Sequence, residues 1–420
     1  MLEDGKPVAM SSAARKPNAL HDTAFFRPGP QRSLIFKGST ALAVAAFGFL
    51  AALAVGAVLL IGAKLQAPDL GAGASPLTIF NSIVVVSLGS LGAQVHVGDV
   101  SINAIPLGGL LVTGSAIAWA AHHYHGRFRS LEWSLFVGVL LGGILAVAAI
   151  VFQIGEGPDR AFVETHQAFG TGLVWGSLFS LVRWPSSSQD RNSRRLLLYV
   201  IRAAKGSAPE GPGAMRAGLN LALSLLTLSG AAAAFGAIVF SIKGASSVAS
   251  GLGILIHAIA FLPNLAVSVA AVAMGASVEA GYGSLASAGA DAFPSYSLLD
   301  WGSGAAPVWA WFLVAIPIVV LLRAGGRMRE VCRGKDLGTT LLYGTGCTLV
   351  FVVALTAVAG AGDAQVGADL QTEGFLRLSV NGVELTWLAL GWAVAGLAAG
   401  WALAAIRDRQ RGTTPTPESR

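Results

Sequence analysis

Long apolar runs alternate with arginine-rich breaks along this chain. Eight stretches, 40–62, 104–121, 133–153, 166–182, 217–241, 306–322, 339–360 and 387–405, carry almost no charge. Each is close to the ~20 residues that a helix needs to cross ~30 Å of hydrocarbon. Two further apolar stretches, 77–93 and 248–275, are ambiguous. The pattern predicts an all-α integral membrane protein. It would have about eight transmembrane helices, one or two re-entrant segments and small extracytoplasmic β-hairpins, in one polytopic domain over 39–406. Residues 1–38 are basic, contain proline and lack periodicity, and with 407–420 they read as disordered cytoplasmic tails. The first tail and the run after it are too long for a cleavable signal peptide.

Charge decides between topologies. If neither ambiguous stretch crosses, residues 1–39, 122–132, 183–216, 323–338 and 406–420 share one side and hold 24 Lys and Arg, leaving Lys64, Arg160, Lys243 and Arg377 on the other. If both cross, the split falls to 17 against 11. Positive residues favour the cytoplasm, so both termini are expected there, in a bacterial plasma membrane. The stretch 248–275 must then enter and return. Its centre, Phe261-Leu262-Pro263-Asn264, supplies the break, since proline removes a backbone donor. Broken backbone at that depth must be buried in protein or line a cavity. For 77–93 a second re-entrant and an interfacial helix both remain open.

A repeat is also legible. Val95–Ile102, followed by Leu107-Gly108, matches Leu378–Leu385, followed by Leu390-Gly391, at a constant offset. Each copy alternates around a two-residue turn, Gly98-Asp99 or Asn381-Gly382, which predicts two β-hairpins able to pair with each other. Gly138/Gly142, Gly172/Gly176 and Gly396/Gly400 each put two glycines on one helical face. Such faces suit close packing within the monomer or a homo-oligomer contact.

Composition narrows the class further. Charged residues make up 12%, against roughly a quarter in soluble domains. The basic residues flank apolar runs and form no stripe with interleaved aromatics, so no nucleic-acid partner is expected. Cys332 and Cys347 lie in a break and in an apolar run, which argues against a disulfide. No phosphate-binding loop, zinc-protease motif or nucleophile elbow occurs, and no cofactor is expected.

Few polar residues sit where chemistry could use them. His257 and Asn264 belong to the broken segment, and a polar side chain at membrane depth is a candidate site. His257 reads equally as a structural or a lumen-facing residue. Asn264 is expected to satisfy backbone groups freed at Pro263, the structural break. Glu279 and Asp291, in a long outer loop over 276–305 with several aromatics, are the other tentative binding residues. His122, His123 and His125 look like a metal cluster on paper, but they read as an interfacial cap, and no metal is expected. Glu164-x-His166 is a weaker signal still.

The break Phe261-Leu262-Pro263-Asn264, followed by Gly275, Gly281-Tyr282-Gly283-Ser284 and Phe293-Pro294, resembles the pattern of PerM-like actinobacterial membrane proteins linked to cell division. The stretch Val95–Gly109 is similar both to that group and to the streptophobe membrane proteins of Streptomyces. The resemblance implies a non-enzymatic membrane protein supporting envelope or division functions, with membrane lipids and envelope or division proteins as partners. The leading expectation is thus a scaffold or partner protein. The alternative is a transporter or lipid-handling permease with its site at the re-entrant hairpin.

Overall fold

The computed structural model describes residues 30–69, 73–97, 100–125, 131–155, 160–182, 211–283, 295–299, 308–362, 364–368 and 375–412. Both predicted tails and Asp291 lie wholly or largely outside these residues. Among the described residues, six helices are long and apolar enough to cross a membrane: α1 (Pro30–Gln66), α4 (Leu131–Val151), α6 (Gly211–Gly244), α9 (Ala315–Val331, extended by a 3-10 segment Val308–Val314), α10 (Leu337–Gly362) and α11 (Gly382–Gly412). α3 (Leu107–His125) and α5 (Thr165–Leu181) fall on the two remaining expected spans, at 19 and 17 residues. This architecture is consistent with a multi-pass membrane protein.

The two ambiguous stretches form short helices. α2 (Pro76–Ser90) has 15 residues, too few for a crossing. It starts at Ser75, whose hydroxyl accepts the Thr78 N–H at 3.1 Å, and proline occupies the first turn, where no donor is needed. α7 (Val248–Ala260) and α8 (Leu262–Met274) meet at Phe261 with a bend of 72°. Pro263 sits in the first turn of α8, so it begins the second helix as much as it ends the first.

One antiparallel sheet gathers seven strands: β1 (Val95–Val97), β2 (Val100–Ala104), β3 (Ala161–Val163), β4 (Val278–Gly283), β5 (Ser295–Tyr296), β6 (Ala364–Ala368) and β7 (Phe375–Val380), in the order β3-β1-β2-β6-β7-β4-β5. The 276–305 loop is therefore partly sheet. Strands lead directly into α3, α5 and α11 and directly follow α10, with α4 close behind through Ile154. The sheet thus holds those helix ends together at one end of the bundle.

β1 and β2 pair antiparallel, with Val95 opposite Ile102 and Val97 opposite Val100, while the expected turn residues Gly98 and Asp99 lie outside the described residues. The second expected hairpin does not form. Val380 ends a strand, and Asn381 caps α11 by accepting the Glu384 N–H on Oδ1 at 3.1 Å. An Asn-Gly pair after an alternating strand serves a helix start as readily as a turn, because Asn is also a favoured N-cap.

The true duplication pairs other segments. α2 ends in Leu91-Gly92-Ala93-Gln94-Val95, and α8 ends in Met274-Gly275-Ala276-Ser277-Val278, with Gly92 and Gly275 both left-handed at φ 99° and 92°. Val95 opposes Val163, and Val278 opposes Val380. The Gln94 N–H donates to Gln167 Oε1, and the Ser277 N–H donates to Glu384 Oε2, both at 2.9 Å. Glu164 N–H donates to Gln94 O at 3.3 Å, and Asn381 N–H donates to Ser277 O at 3.1 Å. The halves run the same way, long helix, short helix, strands, two helices, strand, helix, with one extra short helix (α7) and one extra strand (β6) in the second half.

Each half owns a core. One is built on α1–α5 around Val44, Leu88, Ile117 and Leu141, the other on α6 and α8–α11 around Leu225, Met274, Phe351 and Leu385. Val358 packs against both. The three glycine pairs are used inside the chain. A Cβ on Gly172 would lie 2.5 Å from Gly142 Cα, and one on Gly396 would lie 2.5 Å from Leu321 Cβ. A second copy cannot use those faces, because neighbouring helices already fill them.

Candidate functional site

α7 crosses to the other half. Gly253 packs on the Gly62 carbonyl, and a Cβ on Gly62 would meet His257 and Ile256 at 2.9 Å. The lack of side chains at Gly62 and Gly253 lets the two helices approach closely. His257 Nδ1 then lies 2.9 Å from Gln66 Nε2 and 3.0 Å from its own-helix carbonyl, Gly253 O.

Below this contact α1, α2, β1, β2 and α7 enclose a half-open cleft of about 230 Å³. Its walls are apolar, from Leu59 and Ala63 on α1, Val85 and Gly89 on α2, Ile102 on β2 and Phe261 at the bend. Of the two polar lining residues, Ser90 spends its hydroxyl on Ser87 O at 2.7 Å. His257 is half-buried and is the cleft's one ionisable side chain, with Nε2 left over from the two Nδ1 contacts. His257 Nδ1 can serve one of these two partners at a time, accepting from Gln66 or donating to Gly253 O, and the ring lines the cavity.

Asn264 is absent from this cleft. It is 1% exposed, and its amide joins three segments. Leu107 N–H donates to Oδ1 at 2.9 Å, while Nδ2 donates to Ile105 O at 2.9 Å and Gly362 O at 3.0 Å. It therefore does not cover groups freed at Pro263, as expected from sequence. It satisfies the open start of α3 and the open end of α10 instead, both buried ends that need partners. Sequence spacing hides this, since the partners lie far along the chain.

The other candidates separate. Glu279 sits on β4 opposite Ser379 and Ser295, away from the cleft-forming elements. His123 stacks on Trp119 at 5.4 Å, in keeping with a cap at the end of α3. No group of three metal-ligating side chains with suitable geometry occurs among the described residues. A polar cluster the sequence barely signalled lies at the start of α5. Glu164 there lies 3.2 Å from His96 and from His166, and accepts from Gln167 Nε2 at 2.7 Å. In the second half Glu384, at the place of Gln167, accepts from the Ser277 N–H and hydroxyl. Both clusters tie the start of a helix to the turn beside it. No protein-family model, curated protein or solved structure matches the chain.

Proposed function

We propose that this protein is a non-enzymatic membrane scaffold, crossing a bacterial plasma membrane eight times with both termini cytoplasmic and presenting its sheet outside to an envelope or division partner. One observation carries the reading: a single seven-stranded sheet joins both halves across one end of the bundle. The edges of that sheet are short, three residues in β3 and two in β5, which limits uncontrolled strand addition. Its outer side is the surface such a partner would bind. The charge distribution supports the orientation, because the far ends of α3, α5 and α9 abut the arginine-rich breaks. The resemblance to PerM-like and streptophobe proteins points the same way.

A transporter draws less support. Its mid-depth polar site would need Asn264, and that amide is already engaged by three backbone groups. The test is site-specific photocrosslinking in intact cells. A crosslinker at exposed Val97 on β1 should give one discrete adduct, and one at Leu337, at the opposite end of the bundle, should not give it. Adducts absent from Val97, or identical from both ends, would reject the scaffold. Impermeant cysteine labelling at Val97 but not at Lys335 checks the orientation separately.

A further inference from the structure

The fold is built twice, but among the described residues the α7 wall of this cleft covers one half alone. Gly56 packs on α2 and Gly230 meets Ala266 of α8, so these glycines correspond, and so do Gly62 and Gly236 six residues on. Gly62 is covered by α7, whereas nothing lies within 4 Å of a Cβ placed on Gly236. α7 has no counterpart in the first half: residues 67–75 join α1 to α2, while α7 stands between α6 and α8. The helix added to one half supplies a wall to the other, and with it the one ionisable group.

We propose that this cleft holds a stretch of one acyl chain of an anionic phospholipid, with the headgroup end at His257, Gln66 and Lys64. This does not depend on the scaffold reading. An apolar cavity of this size is a poor site for water, which needs two to four polar partners. At about 230 Å³ it is smaller than the ~300–1,000 Å³ pockets that enclose whole ligands, so it fits part of a chain. The lipid chain is the apolar species present around a transmembrane bundle. It would fill contacts that the wall atoms otherwise lack. Exposed Gln66 and His257 Nε2 offer hydrogen bonds at the open end, and exposed Lys64 in the last turn of α1 adds a positive charge matching a phosphate. Because chains leave lipid rather than water, discrimination rests on packing and headgroup contacts and is modest.

The full chain in nanodiscs tests this, with phosphatidylglycerol or phosphatidylcholine carrying the same acyl-chain diazirine. Phosphatidylglycerol should label peptides spanning 59–63 and 85–90 above the lipid-exposed positions Leu349 and Val353 of α10. Ala63→Phe or Ala104→Leu, each filling the cleft from a different wall, should lower that labelling about threefold or more. Lys64→Gln should keep chain labelling while erasing the preference for phosphatidylglycerol. Cleft labelling no higher than at Leu349, or unchanged in a filling variant that melts like the wild type, overturns the site. Equal labelling by both lipids in the wild type overturns the headgroup assignment. If both filling variants misfold, native mass spectrometry of the wild type decides, since release without any retained phosphatidylglycerol also overturns it.

Discussion

Trp175 and Trp392 make the same bond in the two halves of the protein. Each indole N–H donates at 2.9 Å to the carbonyl just ahead of a left-handed glycine, Leu91 O in one case and Met274 O in the other. In both halves this ties the helix that follows a strand to the turn where a short helix becomes a strand. Trp175→Phe and Trp392→Phe should each cost about 0.6 kcal/mol for the lost bond, and at most ~1.7. Since the sites belong to different cores, the double variant should lose the sum. Detergent melting of both singles and the double reads this, and strong non-additivity would mean the halves share one cooperative contact.

Asn264 and Pro263 are neighbours with separate duties. Asn264→Ala leaves Leu107 N–H, Ile105 O and Gly362 O buried without that partner. At ~0.6 kcal/mol each, the cost is about 2 kcal/mol. Pro263→Ala restores a donor in the first turn of α8, where helices leave donors free anyway, so it should be nearly neutral. Thermal melting should rank Asn264→Ala clearly below Pro263→Ala. The reverse order would mean the proline, not the amide, fixes the junction.

Two glycines of α5, separated by Thr171, should respond oppositely. Gly172→Ala drives a methyl into the backbone of α4, 2.5 Å from Gly142 Cα, and overpacking of this kind costs about 1–3 kcal/mol. Gly170→Ala meets nothing within 4 Å and should stabilise the helix by up to ~1 kcal/mol. A melting temperature raised by Gly172→Ala would show that α4 and α5 separate more freely than their contact implies.

Asp336 gives the one clear pH prediction. It caps α10, accepting the Thr339 hydroxyl at 2.6 Å and the Thr339 N–H at 3.0 Å, and these bonds hold its carboxyl below the usual 3.8. A lowered folded value means the stabilisation is present above the unfolded value and fades as pH falls through the folded one. Protection of the Thr339 amide against exchange, taken relative to its intrinsic rate, should hold at neutral pH and be lost only below the usual 3.8. Asp336→Asn keeps a capping oxygen and should remove that pH dependence. Exchange that accelerates equally in both proteins would show that the cap does not set it.

Hydrophobic run length made the long helices legible, because burial in lipid imposes its length on sequence directly. Pro263 likewise announced its bend. Glu279 and the β4 strand were hidden in a glycine-rich loop with little alternation. Asn381-Gly382 misled because a hairpin turn and a helix cap ask for the same residues. The duplication was missed for a related reason. Gln167 and Glu384, or Gln94 and Ser277, fill the same places with different side chains, since only a carboxyl-type oxygen and a backbone N–H are required. His257 stood out as an isolated polar residue, but the wall it completes comes from the other half of the chain.

The passage of α7 across the molecule also sets an order of events during synthesis. α1 through α5 emerge first, with their core residues already at hand but with Gly62 and the flank of α2 uncovered. That flank closes only after the ribosome has delivered Val248–Ala260, more than 180 residues behind Gly62. Until then that flank of the early half lacks the wall that His257 and Phe261 complete. Late arrival of one short helix thus completes a wall that the first half cannot supply for itself.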